Sequence, residues 1–120
     1  SRIPAIIPEL ERLADEFDIE IPCYGHAGDG NLHVTPVRNP DHSLDHWHRI
    51  LPEILRRLYK VTRELGGVIS GEHGIGHKRK QYMPEAVGEP ALELMRRVKR
   101  AFDPNNILNP GKIFDLGDDK

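Results

Sequence analysis

Cysteine is nearly absent from this chain, since Cys23 is the only one among its 120 residues. A single cysteine excludes an internal disulfide and suits a reducing compartment. The sequence also lacks the run of about 18 apolar residues that a membrane-spanning helix needs. The start of the chain shows no signal-peptide pattern. We therefore expect a cytoplasmic protein without a transmembrane segment.

Excess charge of one sign is lacking as well, because 17 basic and 19 acidic residues leave a formal net charge of −2. This balance gives no reason to expect nucleic acid or an anionic membrane surface as a partner. Apolar residues make up 38% of the chain and charged residues 30%. That composition and length are typical of one soluble, compact domain.

Apolar residues recur at helical spacing in three stretches. The spacing predicts helices over residues 5–17, over residues 44–65 with a break or kink at Pro52, and from Pro90 to Phe102. The stretches "IEIPCYGH", "NLHVTPV" and "GVISGE" are typical of short strands. This element order predicts an α+β fold with helices on one face of a small antiparallel sheet. On the last helix, the residues expected to face the core are Ala91, Leu94, Met95, Val98 and Phe102.

The first two strands flank "GDGN", and Asp-Gly between strand residues is a strong hairpin signal. If Asp29 and Gly30 form the centre of a type I′ turn, His26 and His33 lie directly opposite each other. Opposed side chains share a face, with Cβ atoms roughly 5 Å apart. Both imidazoles could then reach one metal ion at about 2.1 Å. The alternative is that the two histidines merely decorate a hairpin.

A second polar cluster, "SGEHGIGHK", follows the third predicted strand. Its Glu72 could be the third ligand of a His2Glu site, which leaves His73 available for proton transfer. The alternative is a glycine-rich turn with charged decoration. No sequence typical of a Rossmann or P-loop phosphate site is present. We interpret His42, His46 and His48 as part of a solvated face.

Three motifs taken together are more specific than any one alone. "GHAGDGNLH" (25–33), "SGEHGIG" (70–76) and "FDPNNILNPGKIF" (102–114) resemble the C-terminal portion of the FAD-linked oxidases. This group includes glycolate oxidase, D-lactate dehydrogenase and D-2-hydroxyglutarate dehydrogenase. The resemblance implies an N-terminal FAD-binding domain and a C-terminal cap with a ferredoxin-like antiparallel sheet. Residues 1–120 would then be the C-terminal part of the cap domain, with residues 103–114 as a tail that packs toward the FAD domain.

The resemblance also implies an activity, the oxidation of an (R)-2-hydroxy acid of the glycolate or D-lactate type to a 2-oxo acid. Electrons would leave through the flavin to an iron–sulfur or other acceptor subunit, and a partner of that kind could associate the protein with a membrane. A zinc or iron ion would be held by His26, His33 and Glu72, and His73 would be the catalytic base. Asn109 and Lys112 would contact the flavin side.

Two residues depart from the pattern, because Thr35 stands where many members have an amide and Arg79 where many have lysine. Both could change the choice of substrate, since arginine and lysine bind carboxylates differently. No flavin fold is recognisable, so we expect this chain to be a piece of a longer enzyme and inactive alone. The rival reading is a stand-alone metal-binding or interaction module without redox activity.

Overall fold

The computed structural model describes residues 2–117 and falls into two compact units, Ser1–Gly71 and Glu72–Lys120. The assignment of residues 1–120 to one part of a cap domain, with a tail over 103–114, stays a prediction, and Ser1 and residues 118–120 lie outside the described range. Among the described helices, none combines the length and hydropathy that crossing a bilayer would require.

The first unit contains two helices and a β-hairpin. Helix α1 spans Ile3–Phe17, strands β1 and β2 span Cys23–His26 and Asn31–Val34, and helix α2 spans Leu44–Glu64. The Ser43 hydroxyl caps α2 by accepting a hydrogen bond from the His46 amide at 3.2 Å. Helix α2 is a single helix with Pro52 inside it. It ends at Glu64, one residue before the predicted end.

The core of this unit forms where the apolar stripes of the two helices meet the hairpin. Ile54 is completely buried and Leu13 is 1% exposed. The rest of the buried cluster comprises Ile6, Leu10, Ile19 and Leu58. From the hairpin, the side chains that pack against this cluster are Cys23, Leu32 and Val34. The helices therefore cover one face of the hairpin, as the sequence predicted.

The hairpin register differs from the prediction. His26 pairs with Asn31, and His33 pairs with Tyr24, so the two histidines are not directly opposed. The physical reason is the loop, because Ala27–Asp29 form a 3₁₀ turn that Gly30 closes with φ 72°. This turn makes a four-residue connection, where a type I′ turn would have only two loop residues.

The third predicted strand, "GVISGE", is wrong, because residues 67–72 form no strand in the described chain. Its two glycines explain the difference. A Cβ on Gly67 would lie 2.9 Å from the Thr62 side chain, so the chain turns tightly against the end of α2. A Cβ on Gly71 would lie 2.1 Å from Asn31 Oδ1. The segment therefore contacts a side chain of the hairpin. A third strand would instead have to form backbone hydrogen bonds with an edge strand of the hairpin.

The second unit has a short 3₁₀ turn at Lys80–Tyr82, helix α3 at Met83–Val87 and helix α4 at Glu89–Phe102. Its buried apolar residues are Tyr82, Met83 and Leu92. The expected inward face of α4 is wrong, since Leu94 is 63% exposed and Phe102 is 84% exposed. Leu92, on the other side of the helix, makes the buried contact. The α+β class is nevertheless confirmed: four helices accompany one two-stranded antiparallel sheet in the described residues.

Candidate metal centre

The hairpin separates a core face from a polar face. Successive strand side chains point to opposite sides of a sheet. Since Leu32 and Val34 pack on the core, Asn31 and His33 point the other way. Tyr24 and His26 pair with these two residues and share their side. The observed pairing differs from the predicted one by two residues, and such a shift keeps the two histidines on the same face of the hairpin. A shift of one residue would place them on opposite faces. His26 and His33 are therefore diagonal neighbours on one face.

The two imidazoles are close enough to share a ligand. Their ring centroids lie 6.0 Å apart in an edge-to-face arrangement. A ring nitrogen of His26 and one of His33 lie within 4.8 Å of each other. Two nitrogens on one tetrahedral zinc, each bound at about 2.1 Å, would be roughly 3.4 Å apart. Small side-chain rotations would close that difference, so the pair fits a metal such as zinc.

The Tyr24 ring packs against the His33 ring and helps to orient it. The two rings stack with centroids 5.1 Å apart and planes inclined by 20°. His33 is partly buried while His26 is exposed. One imidazole is thus held against an aromatic ring, and the other is placed at the end of its strand, where the loop begins.

Gly25 allows the two strands to approach at this point. Its φ is 156°, and a Cβ there would lie 2.3 Å from the Asn31 carbonyl oxygen. Any larger residue would push β1 away from β2 directly beside His26. Gly28, in the loop, has no atom within 4 Å of the corresponding position. The two glycines therefore differ: Gly25 is required by sterics, and Gly28 is not.

Glu72 follows directly on Gly71, the residue whose backbone lies against the Asn31 side chain. It is the first residue of the second unit. Within that unit, Glu72 Oε1 lies 3.6 Å from His73 Nε2. That separation is an ion-pair distance and is too long for a hydrogen bond. The His73 side chain is 66% exposed and the Glu72 side chain is 47% exposed, so both are accessible to a small molecule.

The loop that follows His73 is fastened inside its own unit. Gly74 and Gly76 have φ of 74° and 57°, a left-handed conformation that favours glycine. Arg79 donates a hydrogen bond to the Gly74 carbonyl at 3.1 Å. The Gly76 carbonyl accepts one from the Ile113 amide at 2.8 Å. The "GEHGIGHK" loop and the "NPGKIF" tail are therefore parts of one hydrogen-bonded structure.

The tail is anchored by a buried carboxylate at the end of α4. Asp103 is 4% exposed, receives the Lys99 ammonium, and accepts hydrogen bonds from the Ile107 and Leu108 amides at 3.0 and 2.9 Å. The Lys99 hydrogen bond, with smaller help from these amides, holds the pKa of Asp103 below its usual range, although burial opposes the shift. A lowered pKa keeps this anchor ionised at neutral pH and makes it fail only when the pH falls through the lowered value.

Asn109 and Lys112, the expected flavin-side residues, are both exposed on this tail. Asn109 has φ of 51°, and Ile113 has φ of 69°, which is unusual for a β-branched residue. Both Asn109 and Lys112 line a cavity of about 170 Å³. That volume is below the roughly 300 Å³ at which ligand pockets begin.

The histidines of "DHSLDHWH" differ in part from the prediction of a solvated face. His48 is exposed, but His42 and His46 are partly buried with ring centroids 4.7 Å apart. His42 Nε2 lies 3.4 Å from the carboxylate of Asp18, the left-handed residue that ends α1. These contacts connect the end of α1 to the start of α2.

Two residues on the face of the histidines were missed by sequence reasoning. Tyr24 and Asn31 belong to the same face as the histidines, and Gly71 lies against Asn31. The signal for the first two was present in the alternation of the strands, since Tyr24 precedes His26 by two residues and Asn31 precedes His33 by two. The contact of Gly71 depends on tertiary structure and left no local signal.

Comparison with known proteins matches residues 1–113 to the family described as FAD linked oxidases, C-terminal domain. The chain is 46% identical over 114 residues to a D-lactate dehydrogenase of Archaeoglobus fulgidus, covering 92% of this chain and 24% of that protein. It is 39% identical over 117 residues to glycolate oxidase subunit GlcD of Bacillus subtilis, covering 95% and 24%. A D-2-hydroxyglutarate dehydrogenase of Stutzerimonas stutzeri is 34% identical over 115 residues, with 94% and 25% covered. The chain spans about a quarter of the length of these relatives.

Gly25→Ala tests the steric account of the hairpin. The added methyl group would collide with the Asn31 carbonyl oxygen, so we expect a loss of about 1–3 kcal/mol in the free energy of unfolding of the first unit. Trp47, the only tryptophan, packs against the core of this unit, and its fluorescence during urea unfolding reports the change. Gly28→Ala is the matched control and should stay within about 0.5 kcal/mol of wild type. Equal stability of the two variants would refute the close approach at Gly25.

Proposed function

Because this chain belongs to the C-terminal-domain family of the FAD-linked oxidases, we propose that it carries the metal site and the base of an FAD-dependent 2-hydroxy-acid dehydrogenase or oxidase. The observation that supports this most is the placement of His26 and His33 on one face of the hairpin, with ligand nitrogens within 4.8 Å. The substrate would be a small (R)-2-hydroxy acid, in line with the names of the relatives.

The proposed ligands are His26, His33 and Glu72. Two neutral imidazoles and one carboxylate form a His2Glu donor set, which leaves a coordination position open for substrate. Glu72 is proposed as the third ligand because the resemblance carried by the "SGEHGIG" motif implies it, and its side chain is 47% exposed. Zinc or iron suits this set of nitrogen and oxygen donors.

The metal, when bound, would orient the hydroxy acid through its hydroxyl and carboxylate and lower the pKa of that hydroxyl. His73 follows Glu72 directly, and its imidazole is exposed. In its neutral form, His73 accepts the hydroxyl proton. Arg79 holds the loop that carries His73 by donating to the Gly74 carbonyl, so it positions the base without touching the proton.

FAD would accept the hydride from the substrate carbon, and most of its binding surface would lie outside this chain. Asn109 and Lys112 are the proposed contacts of the tail with the flavin side, since both are exposed and line the same small cavity. A cytoplasmic location and an iron–sulfur or other electron-acceptor subunit belong to the same proposal, including membrane association through that partner.

Replacement of a proposed ligand should empty the metal site. In the full-length protein, we expect His26→Ala, His33→Ala or Glu72→Ala to weaken metal affinity by more than about tenfold, because each removes a donor. The measurement is zinc and iron content by elemental analysis after dialysis. His48→Ala, a change at an exposed histidine on α2, is the matched control and should retain the wild-type content. Wild-type metal content in all three ligand variants would refute the proposed metal site.

His73→Gln separates the base from the ligands. We expect turnover to fall by about 10²- to 10⁴-fold, since no group remains to accept the hydroxyl proton. Metal content should stay at the wild-type level. Steady-state kinetics with a 2-hydroxy acid and an artificial electron acceptor measures the change. His77→Gln alters another histidine of the same loop and should keep turnover within a few-fold. If His73→Gln also turned over at the wild-type rate, His73 would have no part in the proton transfer.

A further inference from the structure

Tyr24 is an aromatic residue on the polar face of the hairpin that the proposed chemistry does not use. It pairs directly with His33 across the two strands, so the two side chains lie on the same face. Tyr24 is 65% exposed. A ring this exposed adds little to the core, and its position beside a proposed metal ligand suggests a role at the site.

The stack of the two rings restricts the His33 imidazole without covering its nitrogen atoms. The ring planes are inclined by only 20° and the centroids lie 5.1 Å apart, which is an offset-stacked arrangement. This contact occupies a face of the imidazole. A metal ion instead approaches an imidazole nitrogen in the plane of the ring, along its lone pair. Stacking and metal binding therefore use different parts of the same ring and do not compete.

The contact between His33 and His26 has a different geometry. The His26 ring meets the His33 ring edge to face, with planes inclined by 75° and centroids 6.0 Å apart. His33 therefore contacts both rings, and of these two only the Tyr24 ring is nearly parallel to it. Turning the His33 ring would end the parallel contact. The stack thus favours the orientation in which a nitrogen of His33 lies within 4.8 Å of a nitrogen of His26.

Fixing a side chain before a ligand arrives lowers the cost of binding that ligand. A histidine loses rotamer freedom when it binds a metal ion. If the imidazole is already held in place in the folded protein, folding rather than metal binding bears that cost. The coupling works in both directions, so a metal ion that fixes His33 should also affect the Tyr24 ring.

We propose that Tyr24 is a positioning residue of the metal centre, whose ring holds the His33 imidazole in the orientation that binds the metal. Tyr24 raises the affinity for the metal without being a ligand. The ring face makes the contact, so phenylalanine should be able to replace tyrosine here. The inference rests on the proposed metal site, because Tyr24 has this role only if His33 is a ligand.

The zinc affinity of the full-length protein, measured by competition with a chromogenic chelator, tests this role. Tyr24→Leu should weaken zinc binding by about three- to tenfold, because the stack is lost while every ligand remains. Tyr24→Phe keeps the stack and should stay within about twofold of wild type. Tyr59→Leu is the matched control, since it makes the same change on helix α2, which packs on the core face of the hairpin. Its zinc affinity should equal that of wild type.

Ring resonances of selectively labelled histidine and tyrosine in the full-length protein separate this role from a general structural one. Without metal, Tyr24→Leu should remove the upfield shift that the Tyr24 ring gives to the His33 ring protons, while the His42 and His46 rings keep their positions. In wild type, zinc should shift the Tyr24 and His33 rings at the same equivalence point.

Three outcomes distinguish this inference from the metal site itself. If Tyr24→Leu bound zinc as tightly as wild type while His33→Ala did not, the metal site would stand and Tyr24 would have no positioning role. His33 ring protons that ignore Tyr24→Leu, or Tyr24 resonances that ignore zinc, would also overturn the inference. Wild-type zinc affinity in His33→Ala would refute the proposed metal site, and the role of Tyr24 with it.

Discussion

The pleat of one short hairpin is the constraint on which the candidate site depends. Residues that alternate along β1 and β2 divide between two faces, so Cys23, Leu32 and Val34 pack on the helices. The same alternation places His26 and His33 together on the far side. The core fixes the orientation of the sheet, and the sheet fixes which face carries the histidines. Burial of a few apolar side chains thus positions two imidazoles that make no contribution to the core themselves.

Glycines allow the backbone to come close where the site requires it. Gly25 lets the two strands approach beside His26, and Gly71 brings the following segment against Asn31. Glu72 and His73 follow Gly71 directly. In the proposed function, Glu72 would be the third ligand and His73 the base.

The second unit joins the other end of that loop to the tail. Gly76 accepts a hydrogen bond from Ile113, while Asp103 and Lys99 fix the chain between α4 and the tail. A displacement of the tail would thus be felt in the loop that carries His73. In the proposed enzyme, this connection couples the flavin-side residues Asn109 and Lys112 to the base.

The sequence predicted the elements whose signals are local. Spacing and turn residues predicted the helix over residues 5–17, the helix over residues 44–65 and the hairpin. They did not predict the exact pairing, because Ala27–Asp29 form a 3₁₀ turn where a two-residue turn was expected. The prediction that His26 and His33 share a face still holds, since a shift of two residues in the pairing keeps both side chains on the same side of the hairpin.

Features that depend on tertiary structure were predicted wrongly. The segment "GVISGE" has strand propensity, but Gly67 and Gly71 pack against Thr62 and Asn31, so it pairs with no strand. The stripe of α4 has the period of a core face, yet Leu92 on the other side makes the buried contact. Periodicity shows that a face needs a partner, and it does not show whether that partner lies within the 120 residues.

The most direct test of the central claim, that the hairpin places two imidazoles around one metal, is a zinc titration followed by long-range proton–nitrogen NMR of the histidine rings. The chain has seven histidines, which makes each ring a separate reporter. The account predicts that His26 and His33 shift together and saturate at one equivalent of zinc, while His42, His46 and His48 stay unchanged. Shifts confined to the α2 histidines, or shifts of His26 without His33, would contradict it.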